Sequence, residues 1–276
     1  SLAGPASVIS WLIGGVGVMI IAFTFAEICT LIPVTGSSTR TPLLSHGTLT
    51  SFIFSWMIWL SWMALTPTEV QAVVQYCTYF FPGLTTATGR LTNLGLSTAA
   101  IIMLILSAIN VYSLRWLIKC NNFLTVLKFF IPLIIAIAIL FHHHNIHTAL
   151  SKGFAPEHIH GILAALSSGG IVFAFNGFKQ AAEMAGEAKN PGKAIPFAII
   201  GSILACLILF LLLQIAFLAS IIPSNIAHGW ANISLYQKNS PLFSILQQDN
   251  LKSLNPLLAF TAVIAPLAAG LIYVSS

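Results

Sequence analysis

Seven apolar stretches, each long enough to cross about 30 Å of hydrocarbon as a helix, constrain this chain more than any other feature. They run over Pro5–Ile32, Phe52–Phe81, Leu96–Tyr112, Asn122–Phe141, Gly161–Phe178, Ile195–Ile222 and Pro256–Val274. Inside lipid every backbone polar group needs a partner within the protein, so only helices or closed barrels span a bilayer, and runs of this length select helices. Charge agrees with this reading. Of 276 residues 57% are apolar and only 6% are charged, where a soluble domain carries about 25% charge. A water-soluble globule is excluded, and an all-α integral membrane protein is expected. We read residues 1–276 as a single transmembrane domain with extracytoplasmic loops at 142–160 and 223–255.

The formal charge of +5 comes from basic residues scattered between apolar runs, which gives no nucleic-acid patch. The partner implied is the lipid bilayer. Alternating the loops puts Arg40, Arg115, Lys119, Lys179, Lys189 and Lys193 on one side, against Arg90, Lys152, Lys238 and Lys252 on the other. The richer side is expected to be cytoplasmic, which places Ser1 outside. A chain that starts outside, with neither Met nor signal peptide, is expected to have lost an upstream helix. The end at Ser276, without a charged flank, leaves room for further sequence as well. Cys29, Cys77, Cys120 and Cys206 show no C-x-x-C spacing and read as packing residues. His142, His143, His144 and His147 read as a solvated loop, because no carboxylate or thiol accompanies them at ligand spacing. Ser240-Pro241-Leu242-Phe243 is expected to open a short surface helix. No metal or cofactor is indicated.

Helix breaks carry the most information, since non-helical backbone at membrane depth needs protein or a hydrated cavity around it. In the fifth span Gly169-Gly170 and Asn176-Gly177 flank a short aromatic stretch. Either the chain unwinds near Ala174–Gly177 and frees carbonyls for a ligand ammonium group, or the glycines only permit close packing. After it, Lys179–Pro191 reads as a short polar helix ended by Asn190-Pro191, with Pro196 in the first turn of the next helix. Gly14, Gly15 and Gly17 in the first span suit tight helix contact.

Lys128 lies about three residues, near 4.5 Å of rise, from the midpoint of the fourth span. A lysine at helix centre costs on the order of 2.5 to 3.5 kcal/mol to insert, so it faces the bundle interior or a hydrated cavity, unless it snorkels to the interface. Pro132 cannot donate to the Lys128 carbonyl, which leaves that oxygen free. Glu69, two residues after Pro67 in the second span, either contacts substrate or proton, or pairs structurally with a helix outside this sequence. Glu27 sits near the end of the first span and reads as structural. In the last span Pro266 and Gly270 mark a small-residue face that allows close backbone approach.

These residues resemble the amino acid-polyamine-organocation superfamily of permeases. The resemblance is carried by Phe173-Ala174-Phe175-Asn176-Gly177-Phe178 followed by Ala185-Gly186-Glu187-Ala188-Lys189-Asn190-Pro191-Gly192-Lys193, similar to the family's sixth helix and the loop after it. Gly4-Pro5-Ala6, Ala26-Glu27-Ile28 and Ile32-Pro33-Val34-Thr35-Gly36 resemble its second helix. With Pro67-Thr68-Glu69 and the ending Tyr273-Val274-Ser275-Ser276, the chain is most similar to aspartate-proton-symporter-like permeases. The resemblance implies an incomplete inverted-repeat transporter fold, family helices two to eight of about twelve, with the first helix missing. It implies Phe173 as aromatic gate over the substrate, Ala174, Asn176 and Gly177 as its ammonium-side pocket, and Lys128 where sodium-coupled relatives hold an ion. A lysine there implies proton coupling. Lys179 stands where the family often has Glu, which leaves an acidic substrate open.

The expected activity is secondary active transport of an amino acid in the plasma (inner) membrane, coupled to protons, by alternating access. Phe173, Ala174, Asn176, Gly177 and Glu69 are the expected substrate-binding residues and Lys128 the proton-coupling one. The rivals are an amino acid exchanger and a membrane sensor that does not transport. An enzyme is disfavoured, since no H-E-x-x-H, nucleophile elbow or paired intramembrane carboxylates occur.

Overall fold

The computed structural model describes residues 3–86, 88–112, 114–142, 146–151, 153–233 and 241–275, and at 112, 114–120, 231 and 275 the backbone only. His143, His144, Lys152, Lys238 and Ser240 lie outside the described residues, as do the side chains of Arg115, Lys119 and Cys120. Twelve α-helices are described: α1 (Ser7–Leu31), α2 (Ser37–His46), α3 (Thr48–Cys77), α4 (Asn93–Tyr112), α5 (Leu114–His142), α6 (His147–Leu150), α7 (His158–Leu166), α8 (Ile171–Ala174), α9 (Lys179–Glu183), α10 (Pro191–Ala219), α11 (Pro241–Gln248) and α12 (Asn255–Ser275). Seven segments are long and apolar enough to cross a membrane: Gly4–Leu31, Thr48–Cys77, Asn93–Val111, Asn121–His142, His158–Glu183, Pro191–Ala219 and Lys252–Val274. They match the seven apolar runs of the sequence one for one. The chain is an all-α, multi-pass integral membrane protein.

The differences are at the ends. The sixth span starts at Pro191 instead of Ile195, because Pro191 occupies the first helical turn, where its missing N–H costs nothing, and Asn190 precedes it in non-helical backbone. Pro196 is therefore an interior residue of α10. The second span ends at Cys77 and passes into turns before Pro82 and the left-handed Gly83 (φ 104°). The α11 helix starts at Pro241 as expected, but Phe243, Ser244, Ile245 and Leu246 are buried, so it is a packed element and not a surface one.

The chain divides into two compact units, residues 1–41 with 133–255 and residues 42–132 with 256–276. In the first, α1 lies along α10 as its most extensive helix pairing. A stripe of small residues on α1, Ala22, Ala26 and Cys29, receives Ile195, Ile199, Ile203 and Leu207, spaced one turn apart on α10. A Cβ on Gly15 would stand 2.7 Å from Leu207, and one on Gly14 2.9 Å from Ile171, so both glycines allow the approach that the sequence suggests. Gly17 faces open space and has no such role. Deeper in this unit Ser10 donates to the Ile162 carbonyl at 3.2 Å, fixing α1 to α7. In the second unit α3 packs on α4, and Val70, Leu106 and Leu271 form a core shared by α3, α4 and α12. Phe52, Trp56, Trp59, Leu60 and Met63 of α3 remain exposed, as suits a surface that meets lipid.

Candidate substrate and coupling site

The fifth span is not one helix. Its first part, α7, ends at Leu166, and Ser167 turns away with ψ −80°. Gly170 follows in the left-handed region at φ 77° before α8 begins at Ile171. Ser167 and Gly169 donate their N–H groups to Leu163 and Ala164 at 3.1 and 2.9 Å. Among the described residues no backbone N–H closes on the carbonyls of Ala165 or Leu166, and the N–H groups of Ile171, Val172 and Phe173 reach no backbone carbonyl. A break of this kind leaves the last carbonyls of α7 and the first N–H groups of α8 without helical partners. Gly169 is required here, since a Cβ at that position would run into the Ala165 carbonyl. A first opening falls at Ser167–Gly170, about one turn before the expected Ala174–Gly177. Within the expected stretch α8 ends at Ala174, Phe175 leaves the helix (φ −94°, ψ 0°) and Asn176–Phe178 form a 3-10 turn, so the α-helix is interrupted there as well.

Around this break the aromatic side chains divide into two kinds. Phe173 is 61% exposed, whereas Phe175 is 3% exposed and wedged between Trp11 and Phe210, with ring centroids at 5.9 and 5.4 Å. Ala174 and Gly177 are exposed with Phe173, and Asn176 is half-buried. A Cβ on Gly177 would meet nothing within 4 Å. The expected pocket residues of this span thus share an open stretch next to the break. Two atoms that sequence reasoning missed lie just beyond: the Gln180 amide nitrogen and oxygen are both buried without a hydrogen-bond partner among the described residues. The signal available for the break itself was the run Ser167-Ser168-Gly169-Gly170, four small residues inside an apolar span.

At its far end the broken span is held by the loop after α1. The N–H of Gly36 donates to the Glu183 carbonyl at 2.9 Å. Gly186 meets Thr35 so closely that a Cβ would stand 2.6 Å from the Thr35 nitrogen. Buried Cys29 joins the same corner, its thiol 3.4 Å from the Ser37 hydroxyl. The two most distinctive runs of the sequence, Ile32–Gly36 and Ala185–Glu187, are therefore packed against each other.

Glu69 and Lys128 belong to the second unit. Both are half-buried, and the Lys128 ammonium acts electrostatically on the Glu69 carboxylate. Lys128 stands in a continuous α5 that passes through Pro132, at a depth about 10 Å from the start of its span. The carboxylate also acts on the Tyr273 hydroxyl, and Tyr273 stacks on Trp62 with centroids 5.5 Å apart. Gly270 admits this arrangement, since a Cβ there would lie 3.7 Å from the Glu69 Cβ and 3.4 Å from Leu106. The expected small-residue face of the last span thus packs against the helix that carries the Glu69 carboxylate. Tyr273 as a neighbour of Glu69 was not foreseen, because sequence separation hides contacts between distant helices. Among the described residues no three His, Cys, Asp or Glu side chains gather as metal ligands.

The chain was compared with known proteins. Residues 1–272 match the model of the family described as amino acid permease. Among the relatives found, the glutamate/serine transporter AimA of Bacillus subtilis is 35% identical over 283 residues, covering all of this chain and 52% of that protein. The aspartate-proton symporter of the same organism is 32% identical over 277 residues, covering all of this chain and 53% of that protein. A methylthioribose transporter of B. subtilis is 27% identical over 76% of this chain and 46% of its own length. The chain spans about half the length of the two relatives that cover it fully. With its family model matched almost from end to end and a broken helix inside a membrane span, this chain belongs to the amino acid permease family.

Proposed function

We propose that the full-length protein is a secondary active amino acid permease of the plasma (inner) membrane. It takes up its substrate with protons by alternating access, and its substrates include acidic amino acids. The observation that carries this reading is the break at Ser167–Gly170, where free carbonyls and free N–H groups stand within a few residues of each other. The substrate's ammonium group meets the carbonyls left by α7, and its carboxylate is left to the unwound segment of the family's first helix. Phe173 closes over it from the exposed face, and Ala174, Asn176 and Gly177 form the adjoining wall. Glu69 and Lys128 are assigned to substrate contact and proton coupling, because an intramembrane acid and base that feel each other change partners when either gains or loses a proton. The relatives named for glutamate, serine and aspartate support the substrate class.

The test is a panel of labelled and competing amino acids with the full-length protein in proteoliposomes, with and without an imposed pH difference. Glutamate or aspartate accumulating only when the outside is more acidic is the expected result. Counterflow that ignores the pH difference marks an exchanger instead, and binding without uptake marks a sensor.

A further inference from the structure

Tyr273 adjoins the Glu69–Lys128 pair in the second unit and takes no part in the proposed cycle. Two contacts fix its ring. It stacks on Trp62 of α3, centroids 5.5 Å apart and planes inclined by 29°, and Trp62 and Glu69 lie two turns apart along one face of α3. Gly270 stands one turn before Tyr273 on α12, where a Cβ would lie 3.7 Å from the Glu69 Cβ. Aromatic side chains of a helix lean toward its N-terminus, so the Tyr273 ring leans back over Gly270 toward Glu69, and the Glu69 carboxylate acts on its hydroxyl. The next residue is anchored as well, since the Asn110 amide of α4 donates to the Val274 carbonyl at 2.8 Å.

Neighbouring donors are committed elsewhere. Thr66 and Thr68 donate their hydroxyls to the Trp62 and Ala64 carbonyls at 3.4 and 2.8 Å, and the Asn110 amide is taken by Val274. The Trp62 indole leans away from Glu69 by the same rule that turns Tyr273 toward it. The Tyr273 hydroxyl makes no hydrogen bond among the described residues, and a phenol is a donor at any physiological pH. The charged and titratable groups that meet here are Glu69 from α3, Lys128 from α5 and Tyr273 from α12, while α4 presents Leu106 and Asn110. When Lys128 gives up its proton, the Glu69 carboxylate loses its counter-charge, and a carboxylate alone at membrane depth is costly. A hydrogen bond from a phenol to a charged oxygen offsets much of that cost.

We propose that Tyr273 is a positioning residue of the coupling pair: its hydroxyl donates to Glu69 whenever Lys128 is neutral, so the carboxylate exchanges the ammonium of α5 for the phenol of α12. This rests on the assignment of Glu69 and Lys128 to coupling. The exchange keeps the Glu69 charge satisfied in both protonation states of Lys128, and the lysine proton therefore leaves the pair instead of passing to the carboxylate.

The test is a thermal-melting cycle on the full-length protein, with Lys128→Met standing for the neutral lysine. Tyr273→Phe keeps the ring and its stack on Trp62 and removes only the hydroxyl. In the unmodified protein it should move the melting temperature by no more than about 1 °C. In the Lys128→Met protein it should lower it by about 3 °C or more, the loss of one hydrogen bond to a charged group. Adding Glu69→Leu to Lys128→Met should cancel that drop, since no carboxylate is left to receive the bond. Equal shifts in the two backgrounds, or a drop that survives Glu69→Leu, overturn the proposal. The second readout needs no change at Lys128: the pH profile of labelled glutamate uptake in proteoliposomes. Without the phenol the pair holds its proton more firmly, so Tyr273→Phe should move the midpoint to higher pH by about one unit, and an unmoved midpoint overturns the proposal too. If uptake by the unmodified protein ignores pH, the coupling assignment falls, and the melting cycle, which involves no transport, still decides on the Tyr273–Glu69 bond.

Discussion

Lys128 and Glu69 show how much depends on single charges in a membrane. Each is expensive to insert alone, and each lowers the other's cost, so removing one strands its partner. Lys128→Met is expected to abolish proton-driven accumulation while substrate binding persists, measured as ligand-induced thermal shift beside uptake. Undiminished accumulation would end its coupling role. A double-mutant cycle checks the pair itself: Lys128→Met and Glu69→Gln together should be more stable than the sum of the single losses predicts, by about 0.5 to 3 kcal/mol. A coupling of zero would mean the two charges share a unit without sharing an interaction. Phe173 and Phe175, two residues apart, should separate in the same way. Phe175→Ala empties a space between Trp11 and Phe210 and should cost about 3 to 5 kcal/mol of stability. Phe173→Ala, on an exposed ring, should raise KM and leave the melting temperature in place. The alternation of buried and exposed rings was invisible in the sequence, because three phenylalanines within six residues, Phe173, Phe175 and Phe178, fit any helical face until the break sets the register.

At the scale of elements, the spans were legible and the break was legible only in part. Apolar length and proline positions are local properties, so α3, α5 and α12 each cover most of an expected span, continuous through Pro67, Pro132 and Pro266, while their ends shift, α3 stopping at Cys77 and α5 starting at Leu114. Where a span opens depends on which carbonyl loses its donor first. Asn176-Gly177 and Gly169-Gly170 are both permissive, and the α-helix is interrupted beside each, with Gly169 fitting under the Ala165 carbonyl. Gly170→Ala forces an L side chain into left-handed backbone at a cost of about 1 to 2 kcal/mol, and should reduce substrate affinity along with stability. Gly186→Ala meets the Thr35 backbone instead. It should loosen the contact between the loop after α1 and the end of the broken span, seen as faster hydrogen exchange over residues 32–36 and 183–187. Gly17→Ala is the control: with open space around it, better helix propensity should leave stability equal or up to about 1 kcal/mol higher. The pairing of Ile32–Gly36 with Ala185–Glu187 could not be read from either run alone, since contact between segments so far apart is a property of the fold.

For the whole molecule, charge accounting separates the proposed cycle from its rivals. If a single lysine carries the coupling proton, one proton moves with each substrate. An acidic amino acid with net charge −1 then crosses together with one positive charge, and the cycle is electrically silent. Its accumulation should follow the pH difference alone, up to about tenfold for one pH unit, which is about 1.4 kcal/mol. A membrane potential imposed with potassium and valinomycin should leave it unchanged. A neutral amino acid such as serine, moving with the same proton, carries net positive charge, and 100 mV adds about 2.3 kcal/mol to its driving force, roughly a further fiftyfold in the accumulation limit. Comparing glutamate and serine uptake in the same full-length vesicles under pH difference alone, potential alone and both therefore counts the protons. Glutamate that responds to potential requires a second proton site beyond Lys128, with Glu69 as the first residue to examine. Serine that ignores potential removes proton symport altogether and leaves exchange, in which one amino acid leaves for each that enters.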